Sequence, residues 1–297
     1  MNRWCKVNPL VNVLLTVIFT LLNIFFILPF ILTVIVSFST ESSIAQNGYS
    51  FFPDGWTTAA YEMILNDSGI WRSLFNSIAV TAGGTLLSLF LILTMGYALS
   101  CRDFKLKKLY TAIVVIPMFF SGGLAASYVV NTQVFHLKDS LLALILPGAC
   151  SGWYIFIAKR YFTQTVPASI IDAAKLDGAS EFQIFGRIVL PVSGPLIAVI
   201  GIFEAFAYWN SWYNAMLYIS NDRSDLYPLQ YMLVRIQNSM ETALRMRENV
   251  AGTVIADRPS DSFRMALLVL IVVPVILLYP FAQRYMKDGM MQGSVKE

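Results

Sequence analysis

Residues Glu204 to Asn214 read EAFAYWNSWYN. One carboxylate (Glu204), two amides (Asn210 and Asn214) and the rings of Tyr208, Trp209, Trp212 and Tyr213 fall within three helical turns. Aromatic faces stack on sugar rings, and amide and carboxylate groups bond hydroxyls. The surrounding sequence is apolar enough to cross a bilayer. A carboxylate in such a segment is costly to bury unpaired, which makes Glu204 a functional candidate by default. Two plainer roles compete. The rings lie near the end of the segment, where membrane proteins carry belts of Trp and Tyr. Glu204 can also serve as a partner for a polar group on a neighbouring helix. Tyr128 and Asn131, with Gln133, form a thinner set of the same kind.

Catalytic chemistry finds little support. His136 is the sole histidine, so no H-E-x-x-H pair exists, and no nucleophile–base constellation is evident. No G-x-x-x-x-G-K-[ST] run occurs, so the chain is not itself an ATPase of the P-loop kind. Cys5, Cys101 and Cys150 are odd in number and scattered, which argues against a disulfide framework or a metal site. No cofactor in this chain and no nucleic-acid partner are expected.

The elements that carry these residues follow from composition. Hydrophobic residues make up 57% of the 297 and charged residues 13%. Soluble domains carry about 25% charged residues. A spanning helix needs about 20 predominantly apolar residues. No residue is charged between Lys6 and Glu41, Arg72 and Arg102, Lys108 and Lys138, Asp139 and Lys159, or Arg264 and Arg284. A sixth stretch, Ile188 to Asn221, carries Glu204 alone. The pattern predicts an all-α membrane protein of one domain. Its six spans fall near 10–38, 73–100, 110–133, 140–160, 190–218 and 265–285. The first apolar run is too long for the h-region of a cleaved signal.

With six spans both termini share a side, and that side holds 13 of the 21 Lys and Arg. The positive-inside rule places it in the cytoplasm. Segments 40–71 and 222–264 are then external. The first opens on a turn (Pro53, Asp54, Gly55) and continues as a short helix. The second carries a helix through PLQYMLVRIQNSMETALRMRENV.

The cytoplasmic loop at 165–190 contains IIDAAKLDGASEFQIFGRIVLP, from Ile170 to Pro191. Thr165 is expected to cap a helix with Pro167 in its first turn. Gly178 stands where a helix ends in the left-handed conformation. Ser180 and Gln183 have capping-box spacing for a second helix, carrying Phe182, Phe185, Ile188 and Val189 up to Pro191. Two short helices meeting at a glycine turn result. Lipid-resting helices are rich in Lys and Arg. Here Asp172, Asp177 and Glu181 face Lys175 and Arg187, a face better suited to docking on a protein than on an anionic leaflet.

This stretch resembles the coupling-loop signature of binding-protein-dependent ABC importer permeases: EAA, three residues, G, nine residues, I, one residue, LP. Asp172-Ala173-Ala174, Gly178, Ile188, Leu190 and Pro191 match every spacing. Asp172 replaces the family glutamate and keeps its charge. YPFAQRYMKDGMMQGSVKE (Tyr279–Glu297) and YWNSWYNAMLYISNDRSDLYPLQYML (Tyr208–Leu233) resemble carbohydrate permeases of the maltose-transporter G-subunit type and its oligosaccharide, aldouronate-type branch.

The resemblance, which covers nearly the whole chain, implies a type I ABC importer permease fold. It implies partners: a second homologous permease, two copies of an ATPase that bind ATP and Mg, an extracytoplasmic solute-binding protein and a carbohydrate substrate. The helix pair would sit in a socket of the ATPase, with Ile171, Ala174 and Phe182 packed there and Asp172 paired with a basic residue. Gly178 would allow the turn, and Ala173, Asp177, Ile188 and Pro191 complete the coupling set. The spans would re-tilt as the ATPase closes on ATP, giving alternating access. The loop at 222–264 would reach toward the binding protein. A non-sugar solute, a secondary transporter and a membrane enzyme are the rival readings. The last two leave the fixed-spacing signature unexplained.

Overall fold

The computed structural model describes residues 9–249 and 261–292. Part of the predicted external segment 222–264, and both chain termini, lie outside these residues.

The first charge-free stretch forms α1 (Pro9–Ser37). Its apolar residues are exposed along most of its length, as expected where lipid or another chain is the solvent. The segment after it holds α2 (Glu41–Asn47) and α3 (Ala59–Asn66), joined through the turn around Pro53. The second stretch is one helix, α4 (Ser68–Ser100).

The third predicted span, 110–133, is not one helix. It consists of α5 (Lys107–Phe119), α6 (Gly123–Val129) and a π turn at Val130–Val134. Pro117 lies inside α5, where its ring removes a backbone hydrogen bond. Phe120 is extended and Gly123 has φ +80, so the backbone leaves the helix there.

The fourth stretch is also broken. A short helix, α7 (Leu142–Ile145), runs into a tight turn through Pro147, and α8 (Gly152–Thr165) leaves it at 53°. The 165–190 loop forms α9 (Ala168–Leu176) and α10 (Glu181–Ile184), the latter continuing through a π turn into α11 (Leu190–Val192). An 81° bend at Ser193 separates this rod from α12 (Gly194–Trp209). A second break, at Asn210–Trp212, precedes α13 (Tyr213–Tyr218). The predicted fifth span, 190–218, is therefore interrupted twice. The helix expected within 222–264 appears as α14 (Leu229–Asn249) and the last stretch as α15 (Asp261–Gln292).

Among the described residues three helices are long and apolar enough to cross a membrane, and each bent pair adds one if it counts as a span. The chain has two compact units. In the first, residues 1–68 and 235–273, Glu41 accepts from the backbone N–H of Ser262 at 2.9 Å and from its hydroxyl at 2.7 Å. A carboxylate thus sits on the positive end of the α15 dipole. The Tyr49 hydroxyl donates to Asp261, and Phe38 stacks on Tyr61.

The second unit, residues 69–234 and 274–297, carries the main core. Ile92, Leu99, Ile155, Phe162, Ile184, Val189 and Ile200 pack together, so α4, α8, the loop helices and α12 share one apolar interior. A Cβ on Gly96 would lie 2.7 Å from that of Ala158, so only glycine lets α4 and α8 approach this closely. Small residues at such crossings are how membrane helices gain packing.

Candidate functional site

The loop between α8 and α12 is built by local rules. The expected cap at Thr165 is not used. Thr165 is the last residue of α8, Val166 is extended, and Pro167 itself takes the N-cap place. The proline ring drives its predecessor out of the helical region, so α8 must end before a new helix starts. At the other end of α9, Gly178 has φ +81. The N–H of Ala179 reaches back to the carbonyl of Ala174 at 3.0 Å, closing a Schellman turn. The capping box is present: Ser180 N–H donates to Gln183 Oε1 at 2.8 Å, and Gln183 N–H donates to Ser180 Oγ.

These rules fix which side chains face outward. Leu176 and Phe182, on either side of the Gly178 turn, are each 89% exposed. Ile170, Asp172, Ala173, Asp177 and Pro191 are also exposed. Ala174 faces the other way, buried in its own chain's core, with Ile171 and Ile188 packed partly against it. A residue turned inward is not available to a partner. The outward apolar pair is Leu176 and Phe182, and Leu176 did not stand out in the sequence because its role depends on which way α9 is rolled.

The helix pair is tied to α4 by groups the signature does not mark. The Tyr97 hydroxyl donates to Glu181 Oε2 at 2.8 Å. Lys175 Nζ lies 3.0 Å from Glu181 Oε1 and 3.4 Å from Asp103 Oδ2. The hydrogen bond from Lys175, then that from Tyr97, holds the Glu181 carboxyl below its ordinary range. The hydrogen bond to Glu181 holds Lys175 above its own.

The candidate substrate residues fall into two groups. Glu204, Tyr208 and Trp209 are buried. Tyr208 donates to the Ile145 carbonyl at 2.9 Å and lies 3.1 Å from Ser88 Oγ, so its hydroxyl is occupied inside the chain. Ser88 also faces the Glu204 carboxyl. Asn210, Tyr213 and Asn214 sit at the break between α12 and α13, where Asn210 and Tyr213 are exposed. Asn210 donates to the Phe206 carbonyl one turn back. The N–H groups of Asn210, Ser211 and Trp212 bond back to Phe206, Tyr208 and Asn210, so the break presents side chains and not free N–H groups.

Tyr128 and Asn131 converge on a residue outside the predicted set. Asn131 Nδ2 donates to the Tyr218 hydroxyl at 2.9 Å, and the Tyr128 and Tyr218 rings stack with centroids 5.9 Å apart. Nearby, Asp139 has φ +57 and accepts from Ser220 N–H at 2.6 Å. A cavity of about 620 Å³ lined by Thr81, Thr85, Phe206, Trp209, Leu277 and Leu278 has almost wholly apolar walls. It suits acyl chains or another helix better than a polyol.

The protein defined by these elements is a multi-pass membrane protein with broken helices and an exposed, sharply turned helix pair. Residues 93–292 match the family described as binding-protein-dependent transport system inner membrane component, and the chain belongs to that family. It is 35% identical over 270 residues to protein LplC of Bacillus subtilis, covering 91% of this chain and 89% of LplC. It is 36% identical over 273 residues to YtcP of the same organism, named as a polygalacturonan/rhamnogalacturonan transport system permease protein, covering 91% and 92% of the two chains. The fold is shared with a chain of a bacterial ABC transporter involved in the import of the acidic polysaccharide alginate. The TM-score is 0.81 at 24% identity, over 96% of this chain and 99% of that one. The family is one of transport permeases, membrane subunits without catalytic chemistry of their own.

Proposed function

We propose that this chain is the permease subunit of an ATP-driven importer that carries a sugar, an oligosaccharide, into the cytoplasm. The observation that carries it is the turn at Gly178, where two rigidly capped helices hold Leu176 and Phe182 out into solvent. Two exposed apolar side chains on a short protrusion from a packed core are built to enter a groove.

In this reading the broken segment 107–134 completes a set of six spans, both termini and the 165–190 loop are cytoplasmic, and the turn enters a separate ATPase. Two copies of that ATPase bind ATP and Mg. A second homologous permease lines the pore, and an extracytoplasmic binding protein delivers substrate near the 222–264 segment. The exposed α1 meets lipid or the second permease. Asp172, exposed beside the turn, is placed to pair with a basic residue of the ATPase. Asn210, Tyr213 and Asn214 border the path, and Glu204, Tyr208 and Trp209 shape its wall from within. The sugar assignment is supported by the names of relatives that match over nine-tenths of the chain.

The test is ATPase activity of the reconstituted complex, with and without substrate-loaded binding protein. Wild type is compared with Leu176→Ser/Phe182→Ser and with Asp172→Arg/Gly178→Pro. Both variants should lose the ATPase subunit and stimulated turnover. Full stimulated turnover in either would remove the turn from the coupling path. Uptake of labelled oligosaccharides by cells with and without the gene tests the substrate class, and unchanged uptake across a broad oligosaccharide panel would favour a non-sugar solute.

A further inference from the structure

The polar junction between α4 and the helix pair does more than hold the loop in place. Lys175 lies in the last turn of α9 and Glu181 in the first turn of α10, so their 3.0 Å contact bridges the Gly178 turn. Tyr97, one turn before the end of α4, joins the same carboxylate from the other side. One carboxylate on α10 therefore ties its own helix to two others, to α9 through Lys175 at Oε1 and to α4 through Tyr97 at Oε2.

Beneath this junction the packing is incomplete. A groove of about 380 Å³, open to solvent on one side, lies between α4 and the helix pair, lined by Tyr97, Phe104, Phe182 and Phe185 together with Lys175 and Glu181 of the junction itself. Close-packed interiors transmit displacement because they resist compression. A groove of this size does not. A push applied at Leu176 and Phe182 would be absorbed by tilting the turn into the groove unless something stiff bridges it. Ile92, Leu93 and Leu99 of α4 share the deeper core with Ile184 and Val189, but at the gap itself α4 reaches the helix pair through the Tyr97 ring, 5.0 Å from Phe185, and the hydrogen bond from its hydroxyl to Glu181.

We infer that Tyr97, Glu181 and Lys175 are positioning residues for energy coupling: they clamp the docking turn to the end of α4, so that motion of the ATPase is delivered to the span. This rests on the proposed function, since it assigns a path for force that enters at the docking turn. Asp103 contributes least, being 88% exposed at its side chain and 3.4 Å from Lys175.

Tyr97→Phe is the sharpest variant, because it removes the hydroxyl and leaves the ring contacts. The complete complex is placed in proteoliposomes. Three quantities are read: ATPase co-purification, substrate transported per ATP hydrolysed, and the rate at which deuterium labels the backbone amides of α9 and α10. Glu181→Gln is run beside it. The expected result is intact assembly and basal hydrolysis, transport per ATP down about tenfold, within the usual span of coupling energies, and faster deuterium labelling of α9 and α10.

Unchanged transport per ATP overturns the inference whatever the labelling does, since the junction is then structural only. Reduced transport with unchanged labelling also overturns it, because the turn has not loosened. Loss of assembly in Tyr97→Phe would make the junction a folding element and not a clamp. A wild-type complex that hydrolyses ATP without moving any oligosaccharide would instead sink the transport reading on which the clamp rests.

Discussion

Tyr208 fits over Gly84 so closely that position 84 admits no side chain: a Cβ there would lie 2.6 Å from Cζ of the ring. This contact seats α12 on α4 and aims the Tyr208 hydroxyl at Ser88 and Ile145. Gly84→Ala overpacks that crossing, and overpacking costs about 1–3 kcal/mol. Thermal unfolding in detergent should show a lowered midpoint for Gly84→Ala. Gly84→Ala/Tyr208→Leu should recover part of the loss. A midpoint for Gly84→Ala equal to wild type would mean that the ring is not seated there.

Tyr208→Phe separates a wall residue from a substrate contact. It leaves the Ile145 carbonyl without its donor, and an unmet buried partner costs about 1–3 kcal/mol. Stability should fall while the ranking of transported oligosaccharides stays as in wild type. A changed ranking at unchanged stability would return Tyr208 to the substrate path.

Gly178 carries φ +81 with nothing near the place where a Cβ would stand, so only backbone strain opposes substitution there. Left-handed backbone costs an L-residue about 1–2 kcal/mol. Gly178→Ala should therefore weaken binding of the ATPase about tenfold, the equivalent of about 1.4 kcal/mol, with Gly178→Asn falling between. Titration of the ATPase onto the permease in nanodiscs measures this directly. Equal affinity in all three would show that the turn can reshape without strain.

Asp139 is held below the ordinary carboxylate range, first by the Ser220 hydroxyl, then by the Ser220 N–H, with Lys138 and Arg223 adding smaller attraction. A carboxyl lowered on folding stabilises the fold at pH above its ordinary value, and that contribution fades as pH falls through its own lower value. Wild type should thus exceed Asp139→Asn in unfolding midpoint near neutrality, and the gap should close on acidification. A gap that stays constant down to strongly acid pH would assign the difference to the acceptor oxygen lost toward Ser220 and not to charge.

Much of the docking turn is legible along the chain because it is built from bonds that span a few residues. Ser180 and Gln183 cap a helix wherever the chain permits one, and Gly178 ends α9 because only glycine enters the left-handed region freely. The charge-free stretches likewise mark where helices lie, since uncompensated charge is costly in hydrocarbon. Thr165 misled for a local reason as well: Pro167 forces Val166 to be extended, which breaks the chain before Thr165 can cap anything.

What local sequence could not decide is direction. The roll of α9 turns Ala174 inward and Leu176 outward, and it is set by Ile184, Val189 and the distant Ile155 and Ile200 in one interior. The bends have local signals that charge counting passes over: Gly194 and Pro195 follow directly on Ser193, where the chain turns by 81°. The Tyr97–Glu181 contact joins residues 84 positions apart, and no periodicity connects them. The sequence by itself determined the membrane class, the helical content and the chemistry of the turn, all governed by short-range bonding and solvation. Only the tertiary structure decided which faces are free and which hydroxyls are occupied, because those depend on surfaces brought together from far along the chain.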